Sequence, residues 1–141
     1  MMRIALVSQE YPPDTAHGGI GTQTHAKAQC LSALGHHVNV ITHSVDGQRH
    51  QQRDGAVLVS RIPGFDAQLP IHSDVARWVT YSALGAAELA RLDGEQQLDL
   101  VDFPEWGAEG FVHLLNRAGR EGSPAVDDLS SHACCLAGSG R

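Results

Sequence analysis

The chain has 141 residues, 42% of them apolar and 18% charged, and a formal net charge of −6. That length fits one domain able to bury its own core, and the composition reads as globular rather than disordered. An acidic chain without a basic stripe interleaved with aromatic residues is a poor match for nucleic acid or an anionic membrane surface.

The first predicted element is a buried strand, "RIALVS", Arg3 to Ser8. Its apolar run is too short for the h-region of a secretory signal, and no run in the chain approaches the roughly 18 residues needed to span a bilayer. "QEYPPDTAHGGIGT", Gln9 to Thr22, follows, with two prolines and then three glycines. A helix is expected from near Ile20, with Ile20, Thr24, Ala28 and Leu31 at helical spacing and Gly35 as its stop. "HVNVITH" alternates and is rich in β-branched residues, so it reads as a second strand. The polar, glycine-bounded "SVDGQRHQQRDG" is expected to be a loop or a hairpin, and Ala56 to Ile62 a third strand.

Asp74 is the expected N-cap of a long helix whose apolar face is marked by Val75, Val79, Ala83, Ala86 and Ala90. "LDLVDF" is a fourth strand, and "GAEGFVHLLNRAG" a shorter helix that offers Phe111, Leu114 and Leu115 to the core. Strands alternating with helices imply an α/β fold: a Rossmann-like parallel sheet with helices on both faces. The alternation fails near Pro124. Residues 1–124 therefore form the expected domain. Residues 125–141 are an atypical tail that reads as a frayed, frame-shifted or truncated end.

In open α/β folds ligands bind beyond the carboxyl ends of the strands, and a helix N-terminus there offers free N–H groups and partial positive charge to phosphate. Gly18, Gly19 and Gly21 are thus candidates for a turn that faces a diphosphate. Their simpler role is to let the chain turn. No G-K-[ST] follows, which excludes a triphosphate P-loop. The long loop and Thr24, at the place of a third glycine, oppose a dinucleotide fingerprint.

The combination of Glu10-Tyr11-Pro12-Pro13, the Gly18-Gly19 turn, Leu34-Gly35-His36, "VNVIT" and the later "DLVDFPEWGAEG" resembles the amino-terminal half of GT-B glycosyltransferases. The similarity is to the retaining group that includes glycogen, sucrose and sucrose-phosphate synthases. It covers roughly the first 120 residues. The resemblance implies two Rossmann-like lobes across a cleft, a nucleotide-diphosphate sugar as donor substrate, and no bound cofactor or metal. It also implies that the glycine loop approaches the diphosphate and that the acceptor, a carbohydrate, binds chiefly to this lobe. Asp102 and Glu105 would then hydrogen-bond acceptor hydroxyls and Trp106 would stack on a sugar face, with His17 beside the glycine turn. Asp102 and Glu105 have a simpler alternative as caps of the following helix. The donor-binding lobe is not in this sequence, so the chain is expected to be inactive alone. His132 lies where the family often carries a histidine loop, but "SSHACC" does not match it.

Nine histidines are scattered without metal-ligand spacing, and His36 is explained by the helix end it follows. Glu10 reads as a loop carboxylate, and Trp78 and Tyr81 as core or lid residues. No nucleophile elbow is present. Three cysteines, two of them adjacent, suggest a reducing cytoplasmic setting rather than a disulfide framework. Two other readings compete: a non-catalytic sugar- or nucleotide-binding module and, more weakly, an NAD-dependent oxidoreductase.

Overall fold

A computed structural model describes residues 1–15, 18–64, 73–120 and 134–136. Strand β1 (Arg3–Val7) is followed by helix α1 (Gly19–Ala33) and strands β2 (His37–Ser44), β3 (His50–Asp54) and β4 (Val57–Pro63). Helix α2 (Asp74–Gln96), strand β5 (Leu100–Asp102), helix α3 (Phe111–Arg120) and strand β6 (Cys134–Leu136) complete the described elements. The six-stranded sheet runs β3-β4-β2-β1-β5-β6. Its four central strands are parallel, while β3 and β6 pair antiparallel at the edges. The architecture is the Rossmann-like α/β sandwich the sequence suggests, but the sheet is mixed rather than wholly parallel.

The continuous apolar run of β1 follows from burial on both faces. Ile4 and Leu6 join a core with Ala28 of α1, Val38, Val40, Val57 and Val59. Ala5 and Val7 point the other way, into a core with Tyr81, Leu89 and Leu92 of α2 and with Val101 and Phe103. The alternation of side chains along one strand therefore fixes a helix layer on each side.

The polar stretch after β2 is a hairpin. It supplies β3, whose register pairs His50 with Arg61 and Asp54 with Val57. Gly35, at φ +85, ends α1 as expected.

Three details of the sequence reading are corrected. The N-cap of α2 is Ser73, whose hydroxyl accepts from the Ala76 amide; Asp74 is the acidic residue of the first turn. The buried face of α2 is Tyr81, Ser82, Gly85, Ala86, Glu88, Leu89 and Leu92, whereas Val75, Val79, Ala83 and Ala90 are exposed. Tyr81 meets Ser8, the residue just after β1, so Val75 and Val79, on the turns of α2 before Tyr81, lie beyond the strand ends, whereas Ala83 and Ala90 lie on the side of the helix turned away from its buried face. On α3, Phe111 and Leu115 are likewise exposed. Of the expected tail, Cys134–Leu136 pairs with β5; Pro124 and His132 lie outside the described residues.

Candidate functional site

The chain leaves β1 toward β2 on one side, while β5 lies on the other side of β1. The loops after β1 and β5 therefore part company at the carboxyl edge of the sheet. This is the topological switch point, the usual ligand cleft of such folds.

The loop after β1 is tied at its base. The Ser8 amide donates to Ile41 O at 2.9 Å and the Tyr81 hydroxyl donates to Ser8 O at 3.0 Å. Burial pushes the Tyr81 phenol well above its ordinary pKa, with the Glu109 charge adding to it. Farther out, Arg61 of β4 holds the "YPPD" segment. Its guanidinium is fully buried, donates to the carbonyls of Tyr11, Pro12 and His43, and pairs with Asp14. Tyr11 is buried too, and its hydroxyl donates to Asp54 Oδ2 at 2.8 Å. Residues 9–15 of this junction are thus a built loop and not slack.

The loop ends at Gly18, the N-cap of α1, in extended conformation with no side-chain cap and no acidic residue in the first turn. A Cβ on Gly19 would meet nothing within 4 Å. Gly18 and Gly19 are exposed, so the first amides of α1 stand open beside the cleft. Gly21 is different. It is buried with Thr24 and Ala28 on the inner face of the helix. The carboxylate of Glu10 comes within 3.2 Å of where a Gly18 Cβ would stand.

On the far side of the switch point, Phe103 is buried and Gly110 packs over its ring, where a Cβ would come within 2.9 Å. Gly107, at φ +82, turns the loop back toward β1. Glu109 is only 3% exposed. Its Oε1 accepts from the Gln9 amide at 2.9 Å, and its backbone carbonyl accepts from Ser82 Oγ. Burial first, and the neighbouring Glu10 charge second, raise the Glu109 carboxyl to about 8, against hydrogen bonds from Gln9 that act to lower it. Oε2 of Glu109 and Oε2 of Glu10 are both buried without a hydrogen-bond partner. On α3, His113 stacks near Phe103; burial, then the charge of Arg117, lower its pKa.

The expected acceptor residues fall on this second loop. Asp102 ends β5 half-buried and binds Lys27 Nζ of α1 at 2.5 Å. Glu105 is exposed. Trp106 is 65% exposed and meets the half-buried Trp78 of α2 edge-on, with ring centroids 5.7 Å apart. Since α3 begins only at Phe111, neither Asp102 nor Glu105 caps it. His17 lies outside the described residues. The structure thus brings Gly18, Gly19 and Asp102 to one edge of the sheet, with Glu105 and Trp106 on the loop that leaves it. Sequence reasoning passed over Glu109, whose burial depends on a contact with Gln9 a hundred positions away, and Arg61. The second had a visible signal: a cation set among the apolar residues of a predicted inner strand.

A separate hollow of about 590 Å³ lies at the opposite end of the sheet, lined by Arg3, His37, Asn39, Arg53 and Gln96 among others. It opens at the amino ends of the strands, away from the switch point, and its lining mixes polar residues with Val38, Ala56 and Leu58. Among the described residues there is no group of three or more His, Cys, Asp or Glu able to hold a metal ion, and no helix long and apolar enough to cross a membrane.

No protein-family model and no curated protein matches this chain. Among solved structures, it is similar to a sucrose-phosphate synthase from Thermosynechococcus elongatus, with a TM-score of 0.63 and 17% sequence identity over 83% of this chain. The match spans 30% of that protein's length. At that identity the similarity is one of fold.

Proposed function

We propose that this chain is the acceptor-side lobe of a retaining glycosyltransferase that uses a nucleotide-diphosphate sugar. The observation that carries the reading is the uncapped start of α1, where Gly18 and Gly19 leave amides open at the switch point of the sheet. Departure of a nucleoside diphosphate develops negative charge, and a helix N-terminus stabilises such charge through fixed dipoles. Gly18 and Gly19 would approach the diphosphate, with Gly21 supporting the turn from beneath. Asp102, Glu105 and Trp106, with His17, would meet the carbohydrate acceptor: carboxylates accept from hydroxyls, and an exposed indole offers a flat apolar face to a sugar ring. The fold shared with part of a sucrose-phosphate synthase supports the reading.

On this proposal a second lobe holds most of the donor, and the present chain transfers nothing by itself. The direct test is titration of the isotopically labelled chain with a nucleoside diphosphate, followed by amide resonances. Shifts confined to Gly18 through Thr22 are expected. An unchanged spectrum at millimolar ligand overturns the assignment of the turn, and steady turnover of nucleotide sugars by the chain alone overturns its dependence on a second lobe.

A further inference from the structure

We propose that the hollow at the amino ends of the strands is a second binding site, built for a small phosphate ester that carries free hydroxyl groups.

Strand register places its residues together. Arg3 of β1 pairs with His37 of β2, Asn39 of β2 with Leu58 of β4, and Leu58 with Arg53 of β3. Paired residues share a face of a sheet, and so do residues two apart on one strand. One row across four strands therefore faces one way: Arg3, His37, Asn39, Leu58 and Arg53. Arg3 stands two positions before Ala5, which packs into the core beneath α2, so the row lies on the α2 side. Helix α2 ends at Gln96. Its end, from Gly94 to Gln97, forms the other wall of a cavity of about 590 Å³. That volume lies in the usual range of small-molecule sites, about 300–1,000 Å³.

The charges there suit an anion. Asn39 is 3% exposed, and its side-chain amide donates to Gln96 Oε1 at 3.3 Å, which joins sheet to helix at the floor. Arg3 Nη1 donates to Gln96 O at 2.6 Å, so a cation answers the negative end of the α2 dipole. Glu95, the carboxylate of the lining, is held by Arg91. Elsewhere in this acidic chain Arg49, Arg61 and Arg91 each pair with a carboxylate. Arg53 and the His37 imidazole differ: neither has a hydrogen-bond or ion-pair partner among the described residues. An unmatched guanidinium beside a second arginine and an imidazole is a set that phosphate satisfies, since arginine grips its oxygens in pairs.

The opposite wall reads hydroxyl groups. The last carbonyls of a helix have no intrahelical partner, and Gly94 and Glu95 line the hollow together with Gln96 and Gln97. Leu58 adds apolar surface for a carbon skeleton. A bare anion leaves the acceptors of α2 unused, and a neutral polyol leaves the cations unused. A phosphate ester with free hydroxyls engages both walls.

The test uses the whole chain, isotopically labelled, with ribose 5-phosphate as the probe and ribose and inorganic phosphate as controls. Amide shifts are expected at His37, Asn39, Arg53 and Gln96. These lie at the far end of the sheet from Gly18 and Gly19, so the outcome is independent of the transferase reading. The ester should bind at least about tenfold tighter than either control. Arg53 is exposed on an edge strand, so Arg53→Gln should leave thermal melting unchanged and weaken the ester about tenfold. Arg77→Gln, on α2 but outside the hollow, should leave affinity unchanged. Silent amides in the hollow at millimolar ester overturn the proposal, as do shifts confined to Gly18 through Thr22. Inorganic phosphate that binds as tightly as the ester, an unaffected Arg53→Gln, or an equal loss in Arg77→Gln overturns it too. Should Arg53→Gln not fold, Ala56→Glu decides: it sets a negative charge at the exposed rim and should abolish binding.

Discussion

Arg61 Nε on strand β4 donates to Asp14 Oδ2 in the loop after β1 at 3.1 Å, and the arginine is fully buried while the aspartate is not. One cation thereby closes the loop: its other nitrogens serve the carbonyls of Tyr11, Pro12 and His43. Replacement by methionine keeps most of the volume and strands these acceptors. Removing one partner of a buried charged network costs about 3 kcal/mol, so Arg61→Met is expected to lower unfolding free energy by that amount in urea titration. Asp14→Asn, at the wetter end, should cost about 1 kcal/mol. Equal, negligible losses for both would show that the loop does not depend on the clamp.

The parts of this architecture that sequence exposes are those where burial is complete. β1 is apolar without interruption because both of its faces are covered, and the glycine turn announces itself by composition. The phase of α2 was not legible, since Val75 and Val79 are apolar yet lie past the strand ends, whereas Tyr81 and Ser82 are turned inward to serve backbone groups. Local periodicity carries no information about where a sheet stops. Glu109 was illegible for a related reason: nothing in "WGAEGF" indicates that its carboxyl will be enclosed by the loop after β1.

Glu109 also gives stability a definite pH dependence. Its folded pKa, about 8, lies above the model-compound value of 4.5, so the folded state binds more protons than the unfolded one between these limits. The stabilisation is fully present below the lower limit and is lost as pH rises toward the upper one. The slope from this group cannot exceed about 1.4 kcal/mol per pH unit. Glu109→Gln should flatten the decline in unfolding free energy between pH 4.5 and about 8, measured by denaturant titration at each pH. A variant with the same decline as the parent would place the titrating group elsewhere.

Two glycines separate conformational need from openness. Gly107 sits at φ +82, and a Cβ there would come within 2.9 Å of Gln9 Nε2. Gly107→Ala is expected to cost about 1–2 kcal/mol, mostly from the left-handed backbone, since the Gln9 side chain can retreat. Gly19 has no positive φ and open space around it, so Gly19→Ala should change stability by less than about 0.5 kcal/mol. If the turn receives a diphosphate, the added methyl intrudes on the ligand, and affinity should fall about tenfold, or about 1.4 kcal/mol. Isothermal calorimetry beside thermal melts distinguishes the two effects; unchanged affinity in Gly19→Ala would remove the glycine from the binding site.

Trp106 provides the sharpest separation of folding from recognition on the acceptor side. It is 65% exposed and touches Trp78 only edge-on, an arrangement worth about 0.5–1.5 kcal/mol when such pairs are buried and less in water. Trp106→Ala is therefore expected to lower stability by no more than about 1 kcal/mol. An indole that stacks on a sugar loses that contact outright on truncation, so binding of a panel of hexoses and hexose phosphates should weaken about tenfold. The indole N–H resonance of Trp78 remains as a reporter in the variant and should move with ligand in the parent chain. Were the same sugars to shift Trp78 equally with and without Trp106, the acceptor would not lie on this ring, and the exposed indole would have to be assigned to contact with another polypeptide surface.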